Sequence, residues 1–87
     1  MLKGKTKSGF EFEIDEKVAD DMELLEAIAE AETQTYKFPQ VLKKILGEEQ
    51  KQKLYDHLRT KKGNVPIEKA INEFIEIMNE AGKETKN

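Results

Sequence analysis

Apolar and charged residues alternate along Phe10-Glu11-Phe12-Glu13-Ile14, and this period of two predicts a β-strand. Ser8-Gly9 directly before it is typical of a turn, so we expect a β-hairpin at the start of the chain. A two-residue turn would set Lys5 opposite Phe12. A loop formed by Lys7-Ser8-Gly9 instead sets unlike charges opposite each other and gives three favourable pairs: Lys5 with Glu11, Lys3 with Glu13, and Leu2 with Ile14. The pairing therefore favours the longer loop.

The period then changes to that of a helix, which we expect from about Asp21 to Glu32 after one short turn at Asp15–Ala19. Asp20, followed by an acid three residues on, predicts the N-cap. The apolar stripe of this helix is formed by Met22, Leu25, Ile28 and Ala29, and is widened by Leu24. An acidic stripe on the other side contains Glu23, Glu26 and Glu30. The acidic stripe has two interpretations, a solvated face or a docking surface for a basic partner segment.

Three more helices follow a polar break at residues 33–37. Pro39 suits the first position of a short helix that ends at Gly47, and its core residues are Val41, Leu42, Ile45 and Leu46. The next helix opens at Glu48-Glu49 and closes with Lys61-Lys62, with Leu54, Tyr55 and Leu58 facing inward. The last helix starts at Val65-Pro66 and ends near Ala81-Gly82, with an inward face made of Ile67, Ala70, Ile71, Phe74, Ile75 and Met78.

These elements predict a mostly helical α+β domain, in which an N-terminal β-hairpin precedes about four short helices in a compact bundle. Residues 1–82 form a single domain, and residues 83–87 form a frayed C-terminal tail, since the tail has no apolar residue. A length of 87 residues suits one modest core.

Composition narrows the classes of function. The net charge is −3, and basic residues are scattered, so the basic patch of a nucleic-acid binder is missing. Cysteine is absent, which excludes disulfides and thiolate metal sites. No apolar run is long enough to span a bilayer, and residues 1–5 do not begin a signal peptide. We expect a soluble, unexported protein with no nucleic-acid or membrane partner.

Candidate catalytic chemistry is sparse. Gly4-Lys5-Thr6 matches only the end of a P-loop, and it lies in a predicted hairpin rather than between a strand and a helix. His57 is the single histidine, which is too few for a metal site and is typical of a surface residue. Paired carboxylates such as Asp20-Asp21 and Glu48-Glu49 lie where helix starts favour acids. We expect no enzyme activity, no metal and no cofactor.

Two aromatic residues are not explained by the predicted core. Tyr36 and Phe38 lie in the break between helices, beside Pro39, and an exposed aromatic loop of this kind can anchor a partner. The candidate protein-binding residues are therefore Met22, Leu25, Ile28, Tyr36 and Phe38.

The second half of the chain carries a pattern in three segments: Leu42-x-x-Ile45-Leu46-Gly47-Glu48-Glu49-Gln50, Leu54-Tyr55-Asp56-His57-Leu58-Arg59, and Gly63-x-Val65-Pro66-Ile67-Glu68. Together these segments resemble the short tail assembly chaperones of long-tailed, siphovirus-type bacteriophages and prophages. Ser8-Gly9-Phe10-Glu11-Phe12 and Asp20-Asp21-Met22-Glu23-Leu24-Leu25 are similar to that family too, so the resemblance covers most of the chain.

The resemblance implies a protein of the bacterial host cytoplasm that binds the phage tape measure protein, keeps it soluble, self-associates, and is absent from the mature virion. It also implies a longer, frameshifted form that recruits the major tail tube protein. Thr85-Lys86-Asn87 can be encoded as ACA-AAA-AAC, which contains a run suited to backward slippage of the ribosome.

A second hypothesis comes from another class, a small DNA-binding regulator with a helix-turn-helix between Pro39 and Lys62. Its recognition helix would need several Arg, Asn and Gln side chains to contact bases. The chain offers Gln50, Gln52 and Arg59 among several acids, so this hypothesis ranks below the chaperone.

Overall fold

The chain begins with an antiparallel hairpin of strands β1 (Leu2–Lys5) and β2 (Glu11–Ile14). These elements come from a computed structural model, which describes the backbone of residues 1–85 and the side chains of residues 1–82. The predicted register is confirmed in every pair, including Leu2 with Ile14. The predicted three-residue loop is confirmed as well, because the Thr6 N–H donates to the Phe10 carbonyl at 2.9 Å and Gly9 takes φ 97°.

The hairpin packs closely against the last helix, and Gly4 makes this approach possible. A Cβ atom at Gly4 would lie 2.6 Å from Cζ of Phe12 and 3.4 Å from Cβ of Glu80. Phe12 and Ile14 on the same face are among the most deeply buried side chains of the described residues. Gly4 therefore allows the hairpin to pack closely against α4. This packing accounts for the glycine in the Gly4-Lys5-Thr6 segment, which matches only the end of a P-loop.

A single turn, α1 (Glu16–Ala19), connects the hairpin to α2 (Met22–Thr33). The N-cap prediction at Asp20 was wrong by one residue. Asp21 is extended at φ −142° and its carboxylate accepts from the Glu23 N–H at 2.9 Å, whereas Asp20 ends α1. Two consecutive aspartates offer the same capping chemistry, and the extended backbone at Asp21 decides between them.

The inward face of α2 also differs from the predicted stripe. Leu24 and Ala31 are buried, and Ala27 and Ile28 are half-buried. Three residues of the predicted stripe face solvent instead: Met22, Leu25 and Ala29. Since α2 has apolar residues around much of its circumference, spacing alone allows more than one inward face, and packing against the next helix selects the one that contains Leu24.

A 3₁₀ turn (Thr35–Lys37) leads into α3 (Phe38–Leu58), which bends at Gly47. Pro39 lies in its first turn, as expected, and Gly47 has φ 79° and ψ 164°, so α3 consists of two helical arms on either side of this residue. The predicted end at Lys61-Lys62 was wrong. Arg59 is extended, and a turn closed by the Gly63 N–H donating to the Thr60 carbonyl at 2.9 Å replaces the last predicted helical turn.

The last helix, α4 (Ile67–Thr85), follows Val65-Pro66 as predicted but continues past Ala81-Gly82. Gly82 does not take a positive φ, so it does not end the helix. The frayed tail expected at residues 83–87 is helical as far as Thr85, and residues 86 and 87 lie outside the described residues.

The inward face of α4 is rotated from the prediction. Phe74, Ile77 and Ala81 are buried and Ala70, Ile71 and Met78 are half-buried, whereas Ile67 and Ile75 are exposed. Glu73 is buried too, beside the hairpin loop. A buried carboxylate on this face explains the rotation, because Glu73 replaces an apolar side chain in the inward stripe.

One hydrophobic core joins the hairpin and the three longer helices. The hairpin packs against α4 through β1 and against α3 through β2, while α2 packs against α3. The buried apolar residues are Leu2, Phe10, Phe12, Ile14, Leu24, Ala31, Val41, Leu42, Ile45, Leu46, Leu54, Phe74, Ile77 and Ala81. The predicted class, a hairpin followed by about four helices in a compact bundle, is confirmed.

Candidate docking groove

The bend at Gly47 turns both arms of α3 toward one apolar groove. Leu42 on the first arm and Tyr55 on the second both line it, although they lie 13 positions apart in the chain. The 3₁₀ turn forms one side and the first turns of α4 form the other. The groove has a volume of about 470 Å³, and its lining is Thr35, Tyr36, Phe38, Pro39, Leu42, Tyr55, Arg59, Val65, Ile67, Ala70 and Ile71. We call this surface the docking groove.

Two large side chains at the docking groove are far more exposed than folding requires. Tyr36 is 74% exposed and Ile67 is 70% exposed. Phe38 beside them is held in place, because its ring meets the Phe74 ring edge-on at a centroid distance of 5.5 Å. The groove thus has a fixed aromatic floor and two uncovered apolar side chains at its border.

Among residues 1–82, Arg59 is the one cationic side chain that lines the docking groove. Its guanidinium is held by two acceptors, since Nη2 lies 3.0 Å from Oδ1 of Asp56 and Nη1 donates to the Gly63 carbonyl at 2.8 Å. The remaining lining is apolar apart from hydroxyl groups. An arrangement of this kind accepts apolar side chains of a ligand or partner and offers few polar contacts.

The structure brings together two of the five predicted binding residues. Tyr36 and Phe38 both line the docking groove. Met22 and Leu25 lie on α2 at 71% and 58% exposure, away from the groove lining, and Ile28 is half-buried against the core. Four of the five residues therefore lie on two separate surfaces, and Ile28 belongs to neither.

Sequence reasoning missed the contribution of α4 to the groove. Ile67 was assigned to the inward face because it fits the helical spacing, but it lies in the first turn, ahead of the part of α4 that packs on the hairpin. The position of Ile67 directly after Pro66 could have indicated its exposure, since a side chain at the start of a helix lies at the edge of a core. Tyr55 was expected inward and is half-buried at the groove.

A polar cluster holds the hairpin loop against α3 and α4. We call it the hairpin clasp, and it consists of Thr6, Ser8, His57, Glu73 and Glu76. The hydroxyl groups of Thr6 and Ser8 donate to Oε1 of the buried Glu73 at 2.9 and 3.0 Å. The Lys7 N–H donates to Oε1 of Glu76. His57 Nε2 lies 3.0 Å from the Ser8 hydroxyl and 3.1 Å from the Ser8 carbonyl oxygen.

The clasp contains the residue types of a hydrolase triad in a different arrangement. In a triad the carboxylate bonds the histidine, which takes the proton of the serine. Here the Glu73 carboxylate bonds Ser8 directly, and Nε2 of His57 donates to a backbone carbonyl, since a carbonyl oxygen only accepts. These bonds join the loop to α3 and α4, which is a structural role.

Charged groups elsewhere are mostly exposed, and some of them form ion pairs on the surface. The pKa of Glu48 is lowered, chiefly because its carboxylate accepts a hydrogen bond from Lys51. The positive charges of Lys51 and Lys43 lower this pKa further, because they stabilise the ionised carboxylate. Among the side chains of residues 1–82, no group of histidine and acidic residues has the geometry to hold a metal ion. None of the described helices is both long enough and apolar enough to cross a bilayer.

The docking groove is thus an open, mostly apolar surface. The hairpin clasp is a polar contact, and every buried side-chain polar atom of the described residues has a hydrogen-bond partner. Comparison of the sequence and the fold with family models, with curated proteins and with solved structures finds no match.

Proposed function

We propose that this protein is a tail assembly chaperone of a long-tailed bacteriophage or prophage, which binds the tape measure protein through the docking groove and keeps it soluble in the host cytoplasm. The observation that carries the proposal is the docking groove, with Tyr36 and Ile67 exposed at its border. The resemblance of residues 42–68 to that family supports it from the sequence, and several of these residues line the groove.

The chemistry of the groove suits this role. The resemblance implies a partner that is long and helical, and we expect its helices to expose apolar stripes until other proteins cover them. A shallow apolar groove with few hydrogen-bonding groups binds such stripes with little dependence on their sequence, and many weakly bound copies can coat a long chain. Weak single-site affinity also allows displacement as tail tube subunits polymerise.

Co-expression with segments of the tape measure protein from the same genome tests the proposal. We expect the segments to become soluble and to elute with the chaperone in size-exclusion chromatography. A double variant, Tyr36→Ser with Ile67→Ser, should lose this effect. Ile75→Ser is the matched control, because Ile75 is an isoleucine of α4 that is 50% exposed and lies outside the groove lining.

Segments that stay insoluble, or that the double variant solubilises equally well, would contradict the proposal. The DNA-binding alternative is tested on the same preparation by electrophoretic mobility shift at low and high salt. The two arms of α3 meet at Gly47 alone, without the three- or four-residue turn of a helix-turn-helix, so we expect no shift.

The proposed partners also include a second copy of the chain and, through a frameshifted longer form, the major tail tube protein. Sequencing of the gene around codon 86 tests the longer form directly. A slippery run is expected at Thr85-Lys86-Asn87, and its absence would remove the longer form while leaving the groove proposal intact.

A further inference from the structure

The outer face of α2 carries a second uncovered surface, which is separate from the docking groove. Met22, Leu25 and Ala29 follow one another at spacings of three and four residues, so they form one ridge along the helix. All three are exposed, and none lines the docking groove. We call this ridge the α2 strip.

Acidic side chains flank the α2 strip on both sides. On one side of the strip Glu32 follows Ala29 by three residues, and on the other Glu26 follows Met22 by four, so each lies next to a strip residue on the helix surface. Glu23 and Glu30 lie farther round on the side of Glu26. The α2 sequence contains no lysine or arginine. The ridge is therefore an apolar line between two acidic borders.

The flanking carboxylates are mostly available to a partner. Glu30 pairs with Lys37 at 3.0 Å, but within the described residues Glu23, Glu26 and Glu32 form no ion pair. Exposed carboxylates at this density repel one another, and a cationic partner relieves that repulsion.

We infer that the α2 strip docks an amphipathic helix of a partner protein whose apolar stripe is flanked by lysine and arginine. Ridge-into-groove packing matches the apolar residues of the two helices, and the cationic borders then face Glu26 and Glu32. A second copy of this chain placed symmetrically on the strip would bring glutamates against glutamates, so charge complementarity selects a basic partner instead. The inference concerns a different surface from the docking groove and does not depend on the tape measure protein.

Two synthetic helical peptides of about 18 residues probe the strip, a length that forms several helical turns. Both repeat leucine at helical spacing, and one has lysine at the flanking positions where the other has glutamate. We expect the lysine peptide to bind, and isotope-edited NMR to place the shifted amide signals on α2. The glutamate peptide should bind at least about tenfold more weakly.

Variants of the full chain separate the apolar and the electrostatic parts of the binding. Leu25→Ser should weaken binding of the lysine peptide about tenfold, whereas Ile75→Ser, at similar exposure on α4, should leave it unchanged. A double variant, Glu26→Lys with Glu32→Lys, should reverse the preference and bind the glutamate peptide better. The control with equal net charge is Glu49→Lys with Glu68→Lys, which should keep the original preference.

Circular dichroism checks that each variant keeps its helices. The Glu32→Lys change lies near the end of α2, where a cation interacts favourably with the helix dipole, so the double variant should fold. Equal binding of both peptides, signal changes confined to the docking groove, or an unchanged preference in the charge-reversed variant would each overturn the inference. Self-association that Leu25→Ser abolishes would overturn it as well, since the occupant would then be a second copy.

Discussion

The hairpin clasp and the docking groove use the same helix, α4, in opposite ways. At the clasp, Glu73 is buried and accepts two hydroxyl hydrogen bonds from the hairpin. At the groove, Ile67 in the first turn of α4 is 70% exposed and has no such cover. The difference shows that a small domain can complete its core on one part of a helix while leaving apolar side chains of the same helix exposed.

Gly4→Ala, in the part of the hairpin that packs closely against α4, should have the largest effect. A Cβ atom there would lie 2.6 Å from the buried Phe12 ring, so either the ring or α4 must move. We expect a loss of about 2–3 kcal/mol in the free energy of unfolding, measured by urea denaturation. Gly82→Ala is the matched control, because nothing lies within 4 Å of its added Cβ and alanine favours the helix.

Removal of the buried carboxylate should have the next largest effect. Glu73→Ala removes the carboxylate that accepts the hydrogen bond from the Thr6 hydroxyl. Thr6 is buried, with only 3% of its surface exposed. We expect a loss of about 1–2 kcal/mol in unfolding free energy, and faster amide exchange at Lys7 to Gly9. Glu68→Ala on the exposed side of α4 controls for the loss of a charge. Equal stability of the two variants would contradict a structural role for the clasp.

Substitutions in the docking groove should have the opposite pattern of effects, with little change in stability and a loss of partner binding. Tyr36→Ser with Ile67→Ser removes apolar surface that is already exposed, so the unfolding free energy should change by less than about 0.5 kcal/mol. Solubilisation of a bound partner should be lost at the same time. A destabilisation as large as that of Glu73→Ala would mean that the groove is part of the folding core, and the contrast between the two regions would fail.

The smallest expected effect is electrostatic and lies on the arm of α3 that brings Tyr55 to the groove. The Glu48 pKa is lowered mainly by the hydrogen bond from Lys51, so the folded state binds fewer protons there than the unfolded state does. This contribution to stability is present above the ordinary glutamate pKa and is lost as pH falls through the lowered value. Lys51→Met should raise the Glu48 pKa in an NMR titration, and Lys43→Met should raise it less.

Local chemistry made the hairpin and the bend in α3 predictable from the sequence. The register depends on unlike charges placed opposite each other, and a Lys3–Glu13 pair at 3.5 Å is present in the structure. Gly47, after the apolar run that ends at Leu46, predicted a helix boundary, and the helical backbone is interrupted there at φ 79°. In both places the determining residues lie close together in the chain.

The faces of α2 and α4 were less predictable, because their choice depends on contacts between distant residues. Leu24 and Met22 both fit a helical stripe, and only packing against α3 decides which one is buried. The clasp gave no local signal at all. Thr6 and Ser8 lie 67 and 65 residues before Glu73, so neither segment indicates that the other is its partner. Tyr36 stood out in the sequence because it lacked a helical role.

The separation between the hairpin loop and Glu73 also bears on how the chain folds during synthesis. β1 leaves the ribosome before its cover, α4, because α1, α2 and α3 lie between them in the chain. The hairpin is too small to be stable alone, so its apolar face stays uncovered until α4 has been synthesised. Contacts this long in sequence carry a high entropic cost of loop closure, and we expect docking of the hairpin on α4 to be a late, slow event in folding.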